Sequence, residues 1–221
     1  MPGGEAVAGP RRSPAARLRH VYWIGGGSGA GKSTVSRRLA DRNGWHLYAT
    51  DDVMHDHAAR TTPEDAPHLH RFLAMDMDER WVDRPPRVML ETFHWFRGEG
   101  FHLIVEDLLR LPPDRCVVVE GFRLLPRLVR PLLADPERAV WLLPTPGFRQ
   151  AAFHSRSGPG GGFVGRTSDP ARAGRNLAER DGMFTDRLRE ETGQLGLRAI
   201  EVETGMSEDD LAEQVTTAFR L

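Results

Sequence analysis

The residues with the clearest chemistry are Gly26-Gly27-Ser28-Gly29-Ala30-Gly31-Lys32-Ser33-Thr34, which match G-x-x-x-x-G-K-[ST] over Gly26 to Ser33. Glycines at this spacing let the backbone curl so that successive N–H groups point inward at phosphate oxygens. A helix starting near Lys32 adds the positive end of its dipole. Lys32 then reaches the β- and γ-phosphates of a bound nucleotide, and Ser33 offers its hydroxyl to Mg²⁺. A dinucleotide fingerprint also fits Gly25, Gly27 and Ala30, with Asp51 downstream, but it leaves Gly31-Lys32-Ser33 unexplained.

Two further groups of acids fall where such a loop would use them. Tyr48-Ala49-Thr50-Asp51-Asp52 ends one apolar run, and Val117-Val118-Val119-Glu120-Gly121 ends another. Open α/β sheets bind ligands along the edge formed by the carboxyl ends of their strands. A carboxylate there aligns an attacking hydroxyl, while Lys32 and Mg²⁺ cover the phosphate side. The competing structural reading makes Asp51 and Asp52 an N-cap pair for a helix over 53–59. Arginines (Arg149, Arg156, Arg166, Arg172, Arg175 and Arg180) surround a glycine-rich segment, Ser155 to Gly165, that reads as a mobile loop.

The elements that must position these residues follow from short β-branched runs and from breakers. Strands are expected over His20–Gly25, Trp45–Ala49, Cys116–Glu120, Ala139–Leu143 and Arg198–Val202. Helices are expected over Lys32–Arg42, Pro63–Trp81, Arg87–Leu109, Leu124–Leu133 and Glu208–Phe219, with Pro85-Pro86 breaking the second from the third, Gly98 and Gly100 loosening the third, and Ser207 capping the last. Apolar strands alternating with helices predict an α/β domain whose parallel sheet is covered on both faces.

The combination of the glycine loop, the strand ending in Thr50-Asp51-Asp52 and the Val-Val-Val-Glu120-Gly121 strand resembles the P-loop nucleoside/nucleotide kinase superfamily, among them uridine-kinase-like and antibiotic-phosphotransferase-like small-molecule kinases. The resemblance implies a three-layer α/β fold with a five-stranded parallel sheet in order 2-3-1-4-5. It implies ATP and Mg²⁺ as cofactors and a hydroxyl-bearing small molecule as acceptor. Asp51 would be the residue that orients or deprotonates that hydroxyl, and Glu120 would act on Mg²⁺ with Ser33. Asp51 is a further candidate at the metal, and Asp52 is a candidate substrate contact. Arg175-Asn176-Leu177-Ala178-Glu179-Arg180-Asp181 resembles a lid-helix pattern of these kinases, which implies Arg180, then Arg175, as phosphate contacts. Thr204 and Gly205, after the last strand, would line the base pocket.

The acceptor is expected among helices over 52–110, where Phe72, Trp81, Phe93, Trp95 and Phe96 offer aromatic walls, with Arg97 and Arg123 as candidate substrate contacts. The lid is expected over 147–182. The chain reads as a disordered leader over 1–19 followed by one kinase domain over 20–221. An NTP hydrolase and a nucleotide-sensing regulatory protein are the alternative readings.

Composition bounds the rest. The 221 residues carry 30 Lys and Arg against 31 Asp and Glu, a net charge of −1, which argues against a nucleic-acid partner. The single cysteine, Cys116, excludes an internal disulfide. No apolar run approaches the about 20 residues of a membrane span. These observations predict a cytoplasmic monomer or homodimer with no membrane or nucleic-acid partner. The pairs His55/His57 and His68/His70 are not expected to bind a transition metal, since i, i+2 spacing points to opposite sides of a helix.

Overall fold

A computed structural model describes residues 13–156 and 162–221, apart from the side chains of 152–156. The elements run α1 (Pro14–Arg17), β1 (Val21–Gly26), α2 (Lys32–Asn43), β2 (His46–Ala49), α3 (Met54–Ala59), α4 (Pro67–Ala74), α5 (Met77–Trp81), α6 (Pro86–Thr92), α7 (His94–Arg97), α8 (Phe101–Arg110), β3 (Val117–Glu120), α9 (Pro126–Val129), β4 (Ala139–Pro144), α10 (Pro146–Arg156), α11 (Pro170–Gln194), β5 (Arg198–Val202) and α12 (Glu208–Ala218).

The five strands form one all-parallel sheet in the order β2-β3-β1-β4-β5. This is the expected strand order. Alternation along the strands divides the core between the two faces. Trp23, Val117, Val119, Trp141 and Leu143 join α4 to α9 and α11 on one side. Tyr22, Ile24, Val118, Val140 and Leu142 join α2 and α12 on the other. Both faces of a parallel sheet must be covered because neither carries polar side chains to meet water. Trp141 is fully buried and donates its Nε1–H to the Leu124 carbonyl at 2.8 Å, so the indole meets no unsatisfied cost.

Several helices are shorter than the sequence pattern suggests. The run 63–81 divides at Asp76, whose carboxylate accepts from Glu79 N while Glu79 bonds back, a capping box that starts α5. The run 87–109 divides first at Phe93, whose extended backbone (φ −70°, ψ 113°) ends α6, and then between α7 and α8 at the expected glycines, Gly98 and Gly100, which take φ of 92° and 71° in the left-handed region. Pro126 and Pro131 confine the stretch after β3 to one helical turn and a short 3₁₀ turn over Arg130–Leu132. Ser207 caps α12 as expected.

The leader expected over 1–19 is corrected at its end. Ser13 caps α1 by accepting from Ala16 N, and Leu18 is buried in the core. Residues 1–12 lie outside the described residues. The mobile loop expected over 155–165 is also corrected in part. Ser155 and Arg156 end α10, Gly162–Arg166 forms a 3₁₀ helix, and 157–161 lie outside the described residues.

Candidate functional site

Parallel pairing brings three strand ends to one edge of the sheet. Ile24 of β1 is in register with Glu120 of β3, and Glu120 with Ala49 of β2. The β2–β3 ladder extends one residue further, since Thr50 N donates to the Glu120 carbonyl at 2.9 Å. Asp51 therefore leaves the sheet beside Glu120, and the glycine loop leaves β1 on the other side of Glu120. Gly121, at φ 148°, lets the chain turn away at this point, where a Cβ would collide with the Thr50 hydroxyl.

The loop itself is a curled backbone. Gly26, Gly29 and Gly31 take φ of 134°, 80° and 80°. Gly31 is the N-cap of α2 and carries no side-chain cap, so the first N–H groups of that helix are open to an anion. Gly27 lies against α11 and the end of β4: a Cβ there would sit 2.7 Å from Thr185 Oγ1 and 2.9 Å from Pro144 Cδ. Ala30 is fully buried in the α2/α12 face of the core, which pins the middle of the loop. Ser28 and Thr34 lie in the same segment, Ser28 exposed and Thr34 half-buried.

Lys32 Nζ donates to the Gly27 carbonyl at 2.7 Å and is nine-tenths buried. Ser33 Oγ donates to Glu120 Oε1 at 2.8 Å. Burial pushes the Glu120 carboxyl above the ordinary range. Ser33 and Lys32 oppose that shift, while Asp51 and Asp52 add to it. Asp51 keeps contact with solvent, yet the protein packed around it raises its carboxyl by desolvation. Lys32 and Arg123 pull it back, and Asp52 pushes it further up. Glu120, Asp51, Asp52 and Lys32 thus lie within electrostatic reach of one another. Neither aspartate caps α3: its N-cap is Val53, with no side-chain cap bond. The structural reading of the pair as a helix cap is therefore removed.

The structure does not place the candidate arginines as the sequence suggests. Arg123 is not a surface contact but a buried side chain, 2% exposed. It donates to the carbonyls of Thr50 and Gly100 and to His57 Nδ1, and lies over the Trp95 ring. Arg180 is also buried. It packs on Phe93, Phe96 and Trp81, and donates through Nε and Nη2 to Asp181, its chain neighbour. It therefore faces the aromatic helices, not the glycine loop. Arg175 is exposed on α11 and makes no bond to the loop among the described residues. Arg97 donates to the Glu91 carbonyl at 3.0 Å, remote in partners from the loop. The arginine brought to the flank of the loop is Arg149, which donates to the Pro144 carbonyl and lies beside Gly182 of α11.

Thr204 and Gly205 are exposed just beyond β5, at the same sheet edge. A Cβ on Gly147, at the start of α10, would sit 3.7 Å from Thr204 Oγ1, so this turn abuts the segment after β4. The aromatic residues proposed as acceptor walls mostly pack on one another. Phe72, Trp81, Phe93, His94 and Phe96 form an edge-to-face cluster, and Phe96 stacks on Phe184 of α11 at 3.7 Å. A recess of 600 Å³ lies between β5 and α12, far along the sheet from Asp51. A smaller one of 130 Å³ lies between α4 and α6.

Sequence reasoning missed Asp107 and Thr185, counted Arg149 only among the arginines around the glycine-rich segment, and weighed His57 only as a metal ligand. No local pattern marks them, because each reaches the site from a separate helix. No helix among the described residues is long and apolar enough to cross a membrane.

No family model matches the chain, and no curated protein matches it. Among solved structures it is similar to an uncharacterized protein from Eubacterium ventriosum ATCC 27560, at 13% identity, 91% of this chain and 98% of that chain covered, and a TM-score of 0.48.

Proposed function

We propose that this chain is a P-loop small-molecule kinase that moves the γ-phosphate of ATP to a hydroxyl group. The observation that carries the reading is the Ser33–Glu120 hydrogen bond beside Lys32, with Asp51 at the neighbouring strand end. A switch or motor would need no carboxylate at Asp51. A transferase needs one to align the incoming hydroxyl.

The residues fit both cofactors. The uncapped N-terminus of α2 and the glycine cradle suit a phosphate chain. Ser33 and Glu120 offer the hard oxygen donors that Mg²⁺ prefers. Mg²⁺ bound there would supply positive charge against the phosphates.

The chain's own residues then divide the work. The backbone N–H groups of 26–33 hold the phosphates, and Lys32 exchanges the Gly27 carbonyl for phosphate oxygens. Asp51 would accept a hydrogen bond from the acceptor hydroxyl and take its proton as the new O–P bond forms and the bond from the γ-phosphorus to the β–γ bridging oxygen breaks, with ADP as the leaving group. The raised affinity of Asp51 for protons suits it to that step. α10, the 3₁₀ turn over Gly162–Arg166 and α11 would act as the lid that excludes water. The test is a metabolite screen with γ-labelled ATP and Mg²⁺. Label appearing in one acceptor supports the reading. Phosphate release that no acceptor changes favours a hydrolase, and nucleotide binding without turnover favours a sensor.

A further inference from the structure

Arg123 is a buried cation with no carboxylate bonded to it among the described residues. Its Nη1 donates to the Thr50 carbonyl at 3.3 Å, the residue before Asp51. Its Nη2 donates to the Gly100 carbonyl at 3.3 Å and to His57 Nδ1 at 3.0 Å. A guanidinium only donates, so His57 Nδ1 is the acceptor nitrogen and Nε2 carries the proton. That Nε2–H donates to Asp107 Oδ2 at 2.8 Å. Asp107 is fixed in turn by the Tyr48 hydroxyl at 2.8 Å and by Arg60 and Arg110 at 3.2 Å. His57 is completely buried, so both of its nitrogens are spent on this chain of bonds.

Isolating a guanidinium from water is expensive, and a buried charge persists only where neighbours compensate it. Here the compensation comes through an imidazole to Asp107 and through space from Asp51. The cation is anchored on α3, α7 and the residue before α8, while its remaining arm holds the strand end that carries Asp51.

We propose that Arg123, clamped through His57 to Asp107, is a positioning residue for Asp51. It fixes the backbone on which this carboxylate stands and places a buried positive charge beside it. The inference rests on the kinase reading for the role of Asp51, but the clamp itself is a statement about geometry. Misplacing a reacting group by about 1 Å costs on the order of 100-fold in rate, so the clamp acts on turnover and not on nucleotide affinity.

The test uses His57→Leu, which removes both bonds, and His57→Gln, whose amide can accept from Arg123 and donate to Asp107. Each full-length variant is measured for kcat, for KM of Mg·ATP and for the backbone amide resonances of Thr50, Asp51, Gly29 and Gly31. The expected result for His57→Leu is a kcat lowered about 10- to 100-fold with KM for ATP within about twofold. The Thr50 and Asp51 amides shift while Gly29 and Gly31 stay in place, and His57→Gln recovers most of the loss. Wild-type kcat and unshifted Thr50 and Asp51 amides in His57→Leu would overturn the proposal. So would a loss in which all four amides move and His57→Gln is equally impaired. If the wild-type protein transfers phosphate to nothing, the kinase reading fails. The amide shifts of the two variants then decide the clamp on their own.

Discussion

Ser33 and Glu120 are 87 residues apart and meet in one hydrogen bond of 2.8 Å, so the meaning of either lies in the other. Asp51 gains its meaning the same way, from Glu120 on one side and Arg123 on the other. Asp51→Asn keeps the shape and deletes the charge. Acceptor-dependent transfer is expected to fall about 10²- to 10⁴-fold, with ATP affinity unchanged in an equilibrium titration. Equal transfer by the variant would remove Asp51 from the mechanism. His94 illustrates a buried group with a stability consequence. Burial lowers it to about 3, and Arg123, His68, Arg180 and Arg80 push in the same direction. The unfolded chain therefore takes up a proton near its ordinary value of 6.5 that the folded chain refuses. Stability contributed by neutral His94 is intact above that value and is lost as pH falls from there toward about 3. Between pH 7 and 5 the loss is about 2 kcal/mol. His94→Phe, which also removes the unpartnered buried Nδ1, is expected to flatten that part of the profile in urea titrations at the two pH values.

At the scale of elements, the glycine loop is held by what packs on it. α11 meets it through Thr185, β4 through Pro144, and α12 through Leu211, which a Cβ on Gly31 would approach at 3.3 Å. Gly27→Ala overpacks the first two contacts and is expected to cost about 1–3 kcal/mol in chemical denaturation. Adding Thr185→Ala should restore part of that loss, because it removes the hydroxyl 2.7 Å from the new methyl. An additive double mutant would show that the loop does not press on α11. The sequence reads the glycines of this loop as a phosphate cradle, but nothing in it marks them as contact points for α11 and α12.

For the whole molecule, nucleotide binding should report itself as stability. A ligand at 100 times its dissociation constant adds about 2.7 kcal/mol, which in a chain of this size raises Tm by about 5–10 °C. Mg·ATP is expected to give that shift in the wild-type protein and to lose most of it in Lys32→Met. No shift at saturating Mg·ATP would count against the nucleotide site altogether.

The sequence by itself determined the strands, their parallel arrangement and the loop between β1 and α2. These are local matters: apolar run length, glycine spacing, caps and breakers act within a few residues. It misjudged the long helical runs at Asp76 and Phe93, where a cap and an extended residue outweighed periodicity. Only the tertiary structure decided what the arginines do. Arg123 reads as a substrate contact and Arg180 as a phosphate contact, and packing buries both, because guanidinium planes stack on Trp95, Phe93 and Phe96 that arrive from elsewhere in the chain. The clamp from Asp107 through His57 to Arg123 joins residues 50 to 66 positions apart. Such bonds depend on which helices cover which face of the sheet, and no spacing along the chain encodes that.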